Sequence, residues 1–118
     1  MTDVDAVVVV DAIGDPVKIA TGPAKPTTDM RKLLMARYTT EFLIHTPYYK
    51  EGFSYQTGAG GASLASTGIL AEPMRMDGIH MCLALGGITK TMCDMMEEGL
   101  IDSIVYAQVF DTGDIESI

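Results

Sequence analysis

The densest run of chemistry-capable backbone in the chain is Thr57-Gly58-Ala59-Gly60-Gly61-Ala62-Ser63, directly after Phe53-Ser54-Tyr55-Gln56. Glycines let amide N–H groups approach an anion closely, and a helix starting near Ala62 adds about half a positive charge at its N-terminus. Such a cradle suits a phosphate, a carboxylate or the oxyanion of an acyl-transfer intermediate. With no ligand in view, the same residues read equally well as a tight strand-to-helix turn needing positive φ. No Gly-Lys-Ser/Thr follows, so this is not a P-loop. Ser63 stands where a dinucleotide fingerprint has its third glycine or alanine, and no acidic residue ends the next strand at Leu85.

A second cradle is Leu85-Gly86-Gly87-Ile88-Thr89, again between a strand end and a helix start. Two such loops at the carboxyl edge of one sheet face the same crevice, where open α/β sheets bind ligands. Thr89 reads as a hydroxyl donor to a ligand or, more simply, as a helix cap. Lys90 opposes the helix dipole, which suits a ligand anion but also an ordinary exposed lysine. His80 and Cys82 share a strand face and Cys93 follows on a helix, a spacing too loose for a four-ligand zinc site, so no metal is expected. His45 reads as a dipole partner at a helix end. Glu97 and Glu98, at a helix C-terminus, read as surface or interface residues and not as a general base. No Ser-His-Asp or Cys-His arrangement is evident, and Ser63 lacks a G-x-S-x-G context.

These loops need elements to hold them. Asp5-Ala6-Val7-Val8-Val9-Val10-Asp11 is apolar without alternation, the pattern of a strand covered on both faces. Gly14-Asp15-Pro16 breaks the chain, and an irregular connection runs through Gly22-Pro23 and Pro26. A helix is expected from about Asp29 to His45, with Met30, Leu34, Tyr38 and Phe42 forming one apolar stripe beside Leu33. Phe53–Gln56 reads as a short strand and Ala62–Arg75 as a helix whose far end Gly68 and Pro73 weaken. Ile79–Leu85 is the third strand, with Gly86-Gly87 as its turn. A helix from Thr89 to Glu98 closes on a left-handed Gly99, and Ser103–Phe110 is the fourth strand. Met92, Met95 and Met96 read as core filling or a buried partner surface. Alternating strands and helices give an α/β class with a largely parallel sheet and flanking helices.

The 118 residues make a single domain, and 47% hydrophobic with 20% charged residues is enough for a core. Eight basic against sixteen acidic residues give a net charge of -8, which argues against nucleic acid and against an anionic membrane surface. The apolar run Ala6–Val10 is too short to span a bilayer. Asp3 and Asp5 occupy the place of a basic signal n-region. Cys82 and Cys93 cannot make a disulfide framework, so reduced thiols and a cytoplasmic location are expected. The polar Asp111–Asp114 stretch after an apolar strand reads like a piece of something larger.

The run Lys50-Glu51-Gly52-Phe53-Ser54-Tyr55-Gln56-Thr57-Gly58-Ala59-Gly60-Gly61-Ala62-Ser63-Leu64-Ala65 resembles the α subunit of citrate lyase, the citrate CoA-transferase component. So do Asp11-Ala12-Ile13-Gly14-Asp15-Pro16, Leu85-Gly86-Gly87-Ile88-Thr89, Glu97-Glu98-Gly99-Leu100 and Phe110-Asp111. The resemblance spans nearly the whole chain and implies an incomplete CoA-transferase-like (NagB/RpiA/CoA transferase-like) domain, residues 1–118, from a longer subunit. It implies exchange of acetyl for citryl on a thioester, through an acetic–citric anhydride and with no covalent enzyme intermediate. Related transferases carry the acyl group on a glutamate near the loop matching Leu85-Gly86-Gly87; no acid stands there in this chain, which fits. On this reading Gly60, Gly61, Gly86 and Gly87 are backbone donors in catalysis, while Gln56, Thr57, Gly58 and Thr89 bind substrate. Gln56 reads equally as an ordinary strand-end residue.

The implied substrate is acetyl-CoA or the CoA-like prosthetic group of an acyl carrier protein, with no covalently bound cofactor. The implied partners are citrate and the acyl-carrier and lyase subunits, within an oligomer. Since a -8 surface repels citrate, local cations must position it, and Lys50, Arg75 and Lys90 are candidates. Two rival readings are a catalytically inactive fragment or binding module for an acyl carrier or partner subunit, and a nucleotide-binding α/β module.

Overall fold

Asp29 starts the first helix by accepting hydrogen bonds from the Arg31 and Lys32 amides at 2.8 and 3.3 Å, two of the donors that a helix start leaves without a partner. This is α1, Met30–Ile44, in a computed structural model that describes residues 4–12 and 25–109. The order continues β1 (Phe53–Thr57), α2 (Gly61–Asp77), β2 (Met81–Ile88), α3 (Lys90–Glu97) and β3 (Ile104–Val109). The three strands form one sheet in the order β1-β2-β3, with both pairings parallel. The expected α/β class with a parallel sheet and flanking helices is what the chain adopts.

The core is built on α2, β2 and α3, from Leu70, Ala71, Met74, Met81, Ala84, Met92, Met95, Leu100 and Ile101. Burying each of its large side chains contributes about 1.5–3 kcal/mol. Four of these are methionines, two of them (Met92 and Met95) on α3, so those two fill the core as expected while Met96 is 44% exposed. α2 runs through both Gly68 and Pro73 and ends at Gly78, whose φ of +64° lets its N–H reach the Met74 carbonyl. The expected weakening at Pro73 does not occur. A mid-helix proline costs roughly 3 kcal/mol, and the buried Leu70, Ala71 and Met74 around it offset that. Gly99, at φ +78°, closes α3 as predicted.

Two further expectations fail. Residues 4–12 form no strand, and Val7 and Val9 are 79% and 93% exposed. A strand needs a ladder partner, and none of the described residues offers one. The stripe on α1 also points the other way. Met30, Tyr38 and Phe42 are 78%, 65% and 71% exposed, whereas Ala36 and Thr40 are buried against α2. The Thr40 hydroxyl lies 3.1 Å from Ser66 Oγ and 3.0 Å from the Ala36 carbonyl, so small polar residues seat α1 on α2.

Candidate functional site

All three strands run the same way, so β1 and β2 deliver both glycine segments to one edge of the sheet. Thr57 pairs with Gly86. The two segments are nevertheless built differently. Gly58-Ala59-Gly60 is a true loop between β1 and α2. Gly86 and Gly87 lie inside β2, which continues to Ile88, so the expected turn there is absent. Gly86 has φ +126°, and a Cβ on it would sit 2.6 Å from the Thr57 carbonyl oxygen. Its glycine is demanded by the neighbouring strand. At the same place the β2–β3 register shifts between Gly86 and Ile88.

In the β1–α2 loop none of Gly58, Gly60 or Gly61 needs a positive φ. Gly60 caps α2 with φ -70° and ψ 145° and no side-chain bond, and its carbonyl accepts from Leu64 N–H at 2.9 Å. The first-turn amides of Gly61, Ala62 and Ser63 therefore have no acceptor within the helix. Among the described residues a Cβ on Gly58 or Gly60 would meet only Ser63 Oγ, at 3.8 and 3.9 Å, so the Ser63 hydroxyl lies beside both. Gly61 is different. A Cβ there would lie 3.2 Å from the Lys25 carbonyl and 3.2 Å from the Thr27 nitrogen, and Thr27 N–H donates to the Gly61 carbonyl at 2.9 Å. The chain's own backbone occupies the space that Gly61 leaves.

Thr89 is the N-cap of α3 by position, but its side chain makes no cap bond. Its Oγ1 is buried and has no hydrogen-bond partner among the described residues, and the residue is 1% exposed. Gln56 is exposed and points away from α2, because strand side chains alternate and the Tyr55 hydroxyl reaches Thr67 of α2 at 3.4 Å. Ser54 Oγ and Cys82 Sγ, 3.5 Å apart, share that open sheet face with Gln56.

The candidate cations divide by edge. Lys50 precedes β1 and Arg75 ends α2, so both lie at the amino edge, away from the loop. Arg75 is also held by Glu98 at 2.7 Å and Glu72 at 3.2 Å; the Glu98 hydrogen bond, chiefly, raises its pKa. Lys90 is at the right edge but binds Asp94 at 2.6 Å, and that bond raises its pKa. Sequence reasoning did not place Lys25 or Thr27 at the loop and weighed Ser63 only against a dinucleotide fingerprint and a nucleophile motif, yet all three frame the loop. Lys25 and Thr27 sit in irregular chain with no periodic signal, while the helix position of Ser63 could have flagged it. At the amino edge Glu51 accepts from His80 N–H at 2.8 Å, which chiefly lowers its pKa, and faces His80 Nδ1 at 3.2 Å.

Among the described residues no group of three or more His, Cys, Asp or Glu side chains could hold a metal ion. No described helix is long and apolar enough to cross a membrane. Ile13–Pro16 and Phe110-Asp111, which carry part of the resemblance, lie outside the described residues. What the described residues offer there is a helix start whose first-turn amides have no acceptor within the helix, with the Ser63 hydroxyl beside them. Amides so placed can hold a carboxylate or a tetrahedral oxyanion.

Known proteins carry the same segment. The citrate lyase alpha chain of Klebsiella pneumoniae is 50% identical over 92% of this chain and 21% of its own length. That of Escherichia coli is 47% identical over 98% of this chain and 22% of its own. A crystal structure described as the alpha subunit of citrate lyase from Streptococcus mutans, in complex with citrate, matches with a TM-score of 0.77 and 53% identity. That match covers 92% of this chain and 21% of the other. The chain thus spans about a fifth of the length of these relatives. A family model described as citrate lyase, alpha subunit, matches residues 1–118, and the chain belongs to that family.

Proposed function

We propose that this segment supplies part of the acyl-exchange site of a citrate lyase α-type subunit, a citrate CoA-transferase. A citrate carboxylate attacks the acetyl thioester carbonyl of acetyl-CoA or of an acyl carrier. The C–S bond breaks, leaving a thiolate and an acetic–citric anhydride. The thiolate then attacks the citryl carbonyl and acetate departs, so no acyl group resides on the enzyme. Carboxylate attack needs little proton transfer, but it needs oriented donors for the developing oxyanion. The observation that carries this reading is the start of α2, where the Gly61, Ala62 and Ser63 amides lack helix acceptors and Ser63 Oγ lies beside Gly58 and Gly60. One such donor is typically worth about 2.7–4 kcal/mol.

Gly58, Gly60 and the first turn of α2 are the working part of this reading. Gly86 shapes the edge from within the sheet, and Thr89 stands behind it. A citrate-bound relative supports the substrate class, and cytoplasmic placement and an acyl-carrier partner follow from the same reading. The test is incubation with acetyl-CoA and citrate, followed by mass spectrometry for citryl-CoA. It is run on the 118-residue chain and on the S. mutans α chain with this segment grafted in place of its own. Citryl-CoA from the graft, lost in Gly60→Val, supports the proposal; a graft that folds, binds citrate and makes none refutes it. Hydroxylamine should release no enzyme-bound acyl group. If the chain binds an acyl carrier yet the folded graft is inert, the binding-module reading stands instead, as a single open cradle would allow.

A further inference from the structure

The face of α1 turned away from α2 carries Met30, Leu34, Tyr38 and Phe42 at 78%, 51%, 65% and 71% exposure, with Met35 at 62%. These residues recur every fourth position over about 18 Å of helix, at 1.5 Å rise per residue. The fully buried residues of α1 are the small Ala36 and Thr40, with Leu33, Leu43 and Ile44 half-buried. A surface helix normally keeps its outward face polar. A helix buried on one side and large and apolar on the other has the pattern of a middle layer. Contiguous apolar surface of this kind marks a contact.

Three observations choose the occupant. The related α chains are nearly five times as long, so about four-fifths of such a polypeptide lies outside this segment. The S. mutans chain keeps this fold, at a TM-score of 0.77, within that greater length. Val7 to Val10, also exposed and without a strand partner among the described residues, are a second apolar stretch awaiting cover. A second copy is the poorer candidate, because two chains of net charge -8 repel each other. We propose that the Met30–Phe42 face of α1 is a docking surface for an apolar face in the remainder of the citrate lyase α polypeptide. The inference rests on family membership and on this surface, not on the proposed reaction.

Hydroxyl-radical footprinting of the 118-residue chain and of the grafted S. mutans α chain tests it. Met30, Tyr38 and Phe42 should oxidise at least fivefold more slowly in the full-length graft, at every concentration. Leu34→Asp should leave the unfolding temperature of the short chain unchanged and lower that of the graft by several degrees. Equal oxidation in the two proteins overturns the proposal. Protection that vanishes on dilution, or a short-chain dimer abolished by Leu34→Asp, overturns it in favour of a second copy. Should the graft misfold, footprinting the helix that matches Met30–Ile44 in the S. mutans α chain itself decides the matter: protection supports the proposal, and exposure overturns it.

Discussion

The β1–α2 loop and the β2–α3 junction look alike as sequence, each a glycine pair or triplet between an apolar strand and a helix. In the folded chain they answer to different neighbours. Among the described residues Gly58 and Gly60 face only a hydroxyl, Gly61 faces the chain's own Lys25–Thr27 backbone, and Gly86 faces the Thr57 carbonyl of the next strand. A missing Cβ can make room for a ligand, a strap or a strand, and the residue type does not say which. The lesson extends to Thr89, whose position is that of a helix cap but whose hydroxyl is sealed and, among the described residues, unpartnered.

Substitutions separate these roles. Gly86→Ala should be the most damaging, because a Cβ 2.6 Å from a backbone oxygen at φ +126° combines a clash with backbone strain. A loss of roughly 3 kcal/mol or more is expected in urea unfolding, and a cost below ~1 kcal/mol would mean that Gly86 is not what the strand requires. Gly61→Ala should follow at about 1–3 kcal/mol, since Lys25 and Thr27 must give way by a few tenths of an ångström. Gly60→Ala should change stability by less than ~0.5 kcal/mol, since among the described residues its Cβ would meet only Ser63 Oγ, at 3.9 Å. In the graft, however, it should lower citryl-CoA formation by roughly tenfold through crowding of the first-turn amides of α2. An unaltered rate there would erase the distinction between the two glycine segments.

Smaller effects sharpen the same contrast. Thr89→Val removes a buried hydroxyl that makes no hydrogen bond among the described residues, so its unfolding midpoint should stay level or rise, by up to ~1 kcal/mol. A Thr89→Val graft with lost turnover and normal stability would return Thr89 to the substrate site. At the opposite edge, the Glu51 carboxyl is held below its ordinary value near 4.5 by the His80 N–H. Its contribution is full above that value and fades as pH falls through the folded-state pKa. Acid titration of Glu51→Gln should therefore show a slightly flatter stability loss below pH ~4.5 than the parent. Tyr49, pushed up to about 12 by burial and by its bond to Asp77, contributes the converse, lost as pH rises from about 10 towards 12.

Much of this was legible before any coordinates. Strand, loop and helix around Gly58–Ser63 follow from a glycine cluster after an apolar run, and the left-handed end at Gly99 from a single residue with no Cβ. These are local events, decided by dihedral freedom and capping within a few positions of the residue concerned. The inward face of α1 was not legible, because the stripe at Met30, Leu34, Tyr38 and Phe42 records what a helix can bury and not which neighbour comes close. Nor was the strand-like Ala6–Val10, since apolar β-branched residues become a strand only where another backbone offers its hydrogen bonds.

By itself the sequence determined the α/β class, the kinship with citrate lyase α subunits and the place of a glycine loop between strand and helix. Only the tertiary structure decided which glycine stands against a neighbouring strand and which against the chain's own Lys25–Thr27 backbone. It also set Arg75 against Glu98 at the far edge and turned Met30, Tyr38 and Phe42 of α1 outward. The physical reason is range. Backbone conformation answers to adjacent residues, whereas the space beside a Cα and the partner of a charge are set by segments brought together from elsewhere in the chain.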